Sequence, residues 1–260
     1  MNETNLKNKT ALITGATAGI GKATALMLAA EGCHIVICGR RKDKLESLIQ
    51  ELAQFEVMVT TLCFDIRNFT ETQQAVASLI NNNHKIDILI NNAGLAAGLS
   101  KFYEGEINDW ERMIDTNIKG LLYISRLIAP TMIKNGSGHI VNVGSIAAKE
   151  VYDNGNVYCG TKHMVDALNL AMRRELAEHN IKVSAVHPGA VETEFSLVRF
   201  NGDQSKAKAV YDGFENLLAE DIADGIVYML TRPNRVNINE MTIMPKAQPV
   251  ASVIHRNKGL

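Results

Sequence analysis

The sequence predicts an α/β fold in which one parallel sheet carries helices on both faces. Three observations predict it. Short β-branched apolar runs alternate along the chain with longer segments of helical period, the pattern of strands joined by helical crossovers. A glycine-rich segment, Thr14-Gly15-Ala16-Thr17-Ala18-Gly19-Ile20-Gly21, stands between the first such run and the first amphipathic one. Finally, 260 residues of which 46% are hydrophobic bury one large core without disulfides or a structural metal.

The elements follow in order. Strands are expected at 10–15, 34–39, 57–64, 86–92, 139–144, 182–187 and 238–244, seven in all. A helix is expected over 20–31, where Ile20, Ala23, Met27 and Leu28 make one apolar stripe, and Asp43 reads as the N-cap of the next. A long helix over 108–134 opens with Asn108 and Glu111 spaced as a capping box. Inside it, Asn117 and Gly120 are poor helix formers and predict a local irregularity. Gly136-Ser137-Gly138 is a turn, and another helix covers 155–178. Residues 190–219 mix apolar and charged side chains and exceed what a crossover needs, so they read as a substrate lid. No long linker or repeat divides 1–260, which reads as one domain ending in a tail, 246–260.

Composition excludes several classes of function. Lys plus Arg number 27 against 28 Asp plus Glu, so no basic surface points to nucleic acid or anionic membrane. The polar, acid-containing start is not a targeting peptide, and no apolar run approaches a membrane span. Cys33, Cys38, Cys63 and Cys159 form no CxxC pair. A soluble, cytoplasmic protein is expected. His139, His163 and His187 lack partner spacing, so no metal is expected, and the methionines read as core filler.

The glycine-rich loop supplies a tight turn, close backbone approach for a pyrophosphate and a helix N-terminus that favours negative charge. Its flanking strand and helix make this a Rossmann-type dinucleotide site, involving Gly15, Thr17, Ala18, Gly19, Ile20 and Gly21. At the end of the second strand an NAD-binding protein offers an acid to the ribose hydroxyls. Here Gly39-Arg40-Arg41 offers two guanidinium groups suited to the 2'-phosphate of NADP. The competing reading is a solvated basic turn. Asp65, with Ile66 beside it, meets the adenine or else caps the next helix.

Ser145 ends the fifth strand at the carboxyl edge, where ligands bind in such sheets. Tyr158 and Lys162, four residues apart, share one helix face. A tyrosine titrates about three units above working pH, so forming its anion needs roughly 4 kcal/mol of stabilisation, which Lys162 and a positive nicotinamide supply. Ser145 then holds a substrate oxygen near the Tyr158 hydroxyl, and Asn117 holds a water linking Lys162 to solvent. Singly, each has a plainer reading: an amphipathic tyrosine, a surface lysine, a strand-end cap.

Together, TGATAGIG, Asn91-Asn92-Ala93-Gly94, Asn117, Ser145, Tyr158-Cys159-Gly160-Thr161-Lys162 and Pro188-Gly189 resemble the short-chain dehydrogenase/reductase family over essentially the whole chain. The resemblance implies strand order 3-2-1-4-5-6-7, a tetrad of Asn117, Ser145, Tyr158 and Lys162, and hydride transfer without a metal. It implies that Asn92, Ala93 and Gly94 line the adenosine side, and that Pro188, Gly189, Val191 and Thr193 meet the nicotinamide carboxamide. NNAGLAAG, DWERMIDTNIKGLLY, GNVYCGTK, TEFSLVRFNGD and VNINEMTIMP are similar to a bacterial and yeast subgroup of NADP-dependent 3-hydroxy acid dehydrogenases. Its members act on serine, L-allo-threonine and 3-hydroxypropionate, and reduce malonic semialdehyde.

One departure is Lys149-Glu150-Val151-Tyr152-Asp153-Asn154, which lacks the Pro-Tyr-Ala-Gly run expected before GNVY. Cys159 is either a small packed side chain or a reactive thiol. For an acidic substrate the candidate cation is Arg199, flanked by Val198 and Phe200 as apolar anchors; the alternative makes it an ion-pair partner of Glu194 or Asp203. The resemblance also implies a homotetramer, with helices 108–134 and 155–178 pairing through Leu121, Leu122, Ile124, Leu168 and Met172. Other functions weighed are a reductase of 3-oxoacyl thioesters or small ketones, and a cofactor-sensing module without turnover.

Overall fold

The computed structural model describes residues 5–82 and 84–257. The apolar runs form β1 (Thr10–Thr14), β2 (His34–Gly39), β3 (Val59–Cys63), β4 (Ile88–Asn91), β5 (Gly138–Val143), β6 (Ile181–Pro188) and β7 (Glu240–Ile243). They pair in parallel in the order 3-2-1-4-5-6-7, as the resemblance implies. β3, β4 and β7 are shorter than the apolar runs suggest, and β6 is longer.

Alternation along each strand divides the core between the two faces. Ala11, Ile13, Ile35, Ile37, Ile88 and Ile90 pack on one side with Leu28, Leu48, Ile226 and Met229. Those side chains come from α1 (Gly19–Ala30), α2 (Lys42–Leu52) and the last helix, at Ala219–Thr231. On the other side Leu12, Val36, Leu89 and Ile140 meet Val76, Ile124, Ile128 and Leu176. These belong to α3 (Phe69–Asn81), α5 (Leu121–Asn135) and α6 (Asn156–Leu176). Among the described residues no helix is long and apolar enough to cross a membrane.

The expected long helix is instead α4 (Ile107–Ile114), a π-helical turn at Asp115–Gly120, and then α5. The irregularity predicted at Asn117 and Gly120 therefore exists. Gly120 has a packing reason too, because a Cβ there would stand 2.9 Å from the Ile66 side chain. The Asn108–Glu111 capping box does not form: α4 starts one residue earlier, after Glu106, and no side chain caps it. Asp43 is not an N-cap either. Arg41 holds that position and Asp43 lies in the first turn of α2, where its charge still suits the helix dipole. Between β6 and the last helix lie α7 (Glu194–Arg199) and α8 (Gln204–Ala209), and the last helix is α9.

Candidate active site

At the carboxyl ends of the strands lies a cavity of about 580 Å³. β1 neighbours both β2 and β4, so the chain reverses its direction of sheet growth beside this cavity, the place where such sheets bind ligands. Gly15 and Gly19 line it with φ of 64° and 52°, left-handed values that glycine adopts without strain. The N-cap of α1, Ala18, offers no side-chain bond, and the first turn carries no acid. The helix amides and dipole are therefore left to an anion, which fits a pyrophosphate.

The glycine loop is braced from β4. Asn92 Nδ2 donates to the carbonyls of Thr14 at 2.8 Å and Gly15 at 3.1 Å, and the Ala93 amide donates to Thr14 Oγ1 at 2.9 Å. Thr17, Ala18, Ile20, Ala93, Gly94, Ile66, Pro188, Gly189, Val191 and Thr193 all line the cavity. Gly21 does not. It is buried inside α1, where a Cβ would overlap the Asn92 amide, so its role is packing.

Arg40 and Arg41 also line the cavity, beside Thr17 and Gly39. Arg41 donates to Glu194 at 2.7 Å and to Thr17 Oγ1 at 2.9 Å, while Arg40 lies 3.5 Å from Asp65. No carboxylate occupies the end of β2. Asp65 does not cap α3, because Asn68 takes the N-cap with bonds from the Thr70 and Glu71 amides. Its carboxylate accepts from the Arg67 guanidinium at 2.6 Å. Although partial burial opposes it, that bond with the neighbouring arginines holds Asp65 below the usual carboxylate range.

Tyr158 and Lys162 face the same cavity from α6, each less than a tenth exposed. Lys162 is thus not a surface charge. Its Nζ lies 6.0 Å from the Tyr158 ring centroid and donates to the Val143 carbonyl at 3.0 Å. Burial pulls the Lys162 ammonium down to about 8 and pushes the Tyr158 phenol up. Against that rise act the Arg199 charge and the nearby Ser145 side chain. Ser145 also caps the short turn Ile146–Ala148 through the Ala147 amide at 3.1 Å, as its plainer reading expects, and it lines the cavity.

Asn117 departs from expectation. Its Oδ1 accepts from the Leu95 amide at 2.8 Å, and its Nδ2 donates to the Leu95 carbonyl at 2.8 Å and to Thr161 Oγ1 at 3.0 Å. The side chain ties the loop after Gly94 to α6, using both amide hydrogens and one of the two lone pairs of Oδ1. It is buried and does not line the cavity.

Arg199, at the end of α7, lines the cavity with its guanidinium 5.0 Å from the Tyr158 ring centroid, 5.4 Å from Phe195 and 5.9 Å from Tyr152. One Nη donates to the Tyr152 hydroxyl at 2.7 Å, while Nε is buried without a partner. The ion-pair alternative fails: Glu194 pairs with Arg41 and Asp203 with Lys206. The anchoring also differs. Val198 is 39% exposed, and Phe195 instead packs against Tyr158 edge-on at 5.7 Å.

Sequence reasoning passed over Tyr152, Phe195 and Tyr211, and over Gln248, Ala251 and Ile254 of the tail, all of which line the cavity. Tyr152 lay in the segment flagged as a departure, which was the available signal. Cys159 is fully buried with its thiol pushed up, so the packed reading holds. His139 is buried against Ser184, and burial lowers it to about 3. His187 is not isolated: it lies with Asp166 and Glu240, their ligand-capable atoms within 4.8 Å of one another. Lys149 already supplies a cation there, 2.8 Å from both carboxylates.

A nucleotide cradle at the switch point of a parallel sheet, with a buried Tyr–Lys pair facing it, defines a dinucleotide-dependent oxidoreductase. The chain belongs to the short chain dehydrogenase family, which it matches over residues 9–202. It is 41% identical to the NADP-dependent 3-hydroxy acid dehydrogenase YdfG of Salmonella typhi, over 95% of this chain and 99% of that one. It is also 41% identical to serine 3-dehydrogenase of Agrobacterium fabrum, over 93% and 96%. A solved structure described as the closed form of serine dehydrogenase complexed with NADP+ superposes with a TM-score of 0.88 at 39% identity, covering 95% of this chain and 99% of that chain.

Proposed function

We propose that this protein is an NADP-dependent dehydrogenase of small 3-hydroxy acids, interconverting CH–OH and carbonyl forms of compounds such as serine, allo-threonine and 3-hydroxypropionate. The observation that carries the reading is the Arg199 guanidinium 5.0 Å from the Tyr158 ring. Among the described residues it has no carboxylate partner, so it sets a free cation beside the acid–base residue for a substrate whose carboxylate is separated from the carbinol carbon by one carbon. The relatives named for 3-hydroxy acids and serine support the same class.

The cradle would hold NADP, which would supply the hydride acceptor or donor for the reaction. In the oxidising direction Tyr158 takes the hydroxyl proton while Ser145 holds the substrate oxygen; in reduction Tyr158 returns that proton to the developing alkoxide. Lys162 stabilises the tyrosinate by its charge. Arg40 and Arg41 meet the 2'-phosphate, and Gly15, Thr17, Ala18, Gly19 and Ile20 the pyrophosphate side. Asp65 and Ile66 lie at the adenine. Asn92, Ala93 and Gly94 brace the adenosine side, and Pro188, Gly189, Val191 and Thr193 the carboxamide. Asn117 serves by fixing the loop against α6, and Arg199 by pairing with the substrate carboxylate, whose burial without a partner would be strongly unfavourable.

Arg199→Ala tests the substrate class. It is expected to raise KM for 3-hydroxy acids about tenfold or more, at least about 1.4 kcal/mol, while sparing neutral ketones. Equal loss toward both would mean that Arg199 only supports α7. A cytoplasmic homotetramer belongs to the same proposal. Leu121 and Ile124 are spent in the chain's own core, so pairing must use other apolar positions of these helices, such as Ile114, Met164 and Leu170, which are exposed. Sedimentation at micromolar concentration is expected to give four chains per particle, and a monomer would contradict it.

A further inference from the structure

We propose that His187 is a positioning residue of the reaction, holding the main chain of Ser145 so that the serine hydroxyl meets Tyr158. The inference rests on the acid–base roles given above to Ser145 and Tyr158.

His187 is the seventh residue of β6, and its side chain is fully buried. Ring Nδ1 lies 3.2 Å from the Ser145 carbonyl oxygen. A carbonyl only accepts, so Nδ1 must carry a proton. The local sequence makes this contact possible and needed. Gly144 leaves the room, because a Cβ there would overlap the imidazole. The Gly144 amide still bonds the Val186 carbonyl at 2.7 Å, continuing the β5–β6 pairing one step past the end of β5. The Ser145 carbonyl already accepts from the Ala148 amide at 2.9 Å, and Pro188, the next residue on β6, has no N–H, so the sheet offers no second donor here. The His187 side chain supplies one, to the residue that bears the functional hydroxyl.

The far side of the ring faces a second acceptor, at a longer distance. Nε2 lies 3.5 Å from Asp166 Oδ1, and neither atom has a hydrogen-bond partner. The other Asp166 oxygen and Glu240 are both held by Lys149 at 2.8 Å. The charged groups facing the ring are therefore Lys149, Asp166 and Glu240. Burial and the Lys149 ammonium lower the imidazole, and together they outweigh the two carboxylates. A neutral ring has one proton, and the Ser145 carbonyl at 3.2 Å is a closer acceptor for it than Asp166 Oδ1 at 3.5 Å. Protonation at lower pH would leave the Nδ1 bond in place, so the contact survives in either charge state.

The consequence reaches Tyr158 through Ser145. Its Oγ accepts from Ala147, and its side chain counters the upward push of burial on the Tyr158 phenol. Loss of the His187 bond leaves the Ser145 carbonyl held by the Ala148 amide alone, which loosens the turn at 146–148 and shifts the Ser145 hydroxyl relative to Tyr158.

The test uses His187→Leu, which fills the space without a donor, and His187→Asn, whose amide replaces Nδ1–H. In the oxidising direction His187→Leu is expected to lower kcat at least tenfold and to move the limb of the pH–rate profile that reports Tyr158 to higher pH, with NADP affinity within twofold of wild type. His187→Asn is expected to restore most of the kcat and the original limb. Equal impairment of both variants with an unmoved limb, or a fully active His187→Leu, overturns the proposal. Should His187→Leu not fold, nitrogen-labelled histidine NMR of the wild-type protein decides: a ring protonated at Nδ1 supports it, and a neutral ring protonated at Nε2 overturns it. That measurement needs no turnover, so failure of the substrate reading stays distinguishable from failure of this one.

Discussion

Lys162 is the residue where function and stability pull furthest apart. Its ammonium is buried, makes one hydrogen bond to the Val143 carbonyl, and is lowered from its ordinary value of 10.5 to about 8. The folded chain therefore binds fewer protons than the unfolded one between these values, and stability rises with pH across that window. Below it both states carry the charge, and burial costs on the order of 3 kcal/mol, offset by about 1 kcal/mol from the hydrogen bond. Lys162→Met is expected to abolish turnover yet raise the Tm at about pH 7, with the gain shrinking as pH approaches 10. A lower Tm at neutral pH would show the ammonium to be net stabilising. The sequence made Tyr158, Lys162 and Ser145 legible because their spacing and types carry the chemistry. It did not expose Tyr152 or His187, because their partners, Arg199 for one and Ser145 and Asp166 for the other, stand on different elements.

At the scale of elements, the central strands were legible because strands buried on both faces are mostly apolar, while the edge strands β3 and β7 are partly exposed and carry polar residues. The break between α4 and α5 was legible only as an irregularity: Asn117 and Gly120 are weak helix formers, but a π-helical turn has no distinct periodicity. The two short helices α7 and α8 were not legible, since six residues hold fewer than two turns of pattern. Yet α7 places Glu194 on Arg41 and Arg199 against Tyr152, joining the cofactor end of the cavity to the substrate end. The Arg41–Glu194 pair is exposed, so it adds little stability. Its effect is on the guanidinium that NADP needs. Glu194→Gln is expected to tighten NADP by about twofold or more while leaving NAD unchanged, because the phosphate no longer competes with a carboxylate. Weaker NADP binding in isothermal titration would mean that Glu194 orients Arg41 instead.

For the whole molecule, the parallel sheet gathers Gly15, Arg40, Asp65, Asn92, Ser145 and Gly189 onto one edge, although they span most of the chain. Parallel strands all end on the same side, and each crossover returns the chain to it. This is why a linear list of motifs became one cavity. The cover over that edge comes from α7, α8 and the tail, where Gln248 Oε1 accepts from the Ala190 amide at 2.8 Å and Arg256 bonds the carbonyls of Val210 and Asp212. The central claim is that this edge transfers a hydride between NADP and a 3-hydroxy acid with Tyr158 as acid–base group. The most direct measurement follows the near-ultraviolet absorbance of reduced nicotinamide when purified protein meets L-serine or 3-hydroxypropionate, with NADP or NAD, for wild type and Tyr158→Phe. The account predicts turnover with NADP, far less with NAD, and loss of more than about nine-tenths of the rate in Tyr158→Phe with NADP binding intact. Equal efficiency with both cofactors, or a Tyr158→Phe variant that keeps its rate, would contradict it.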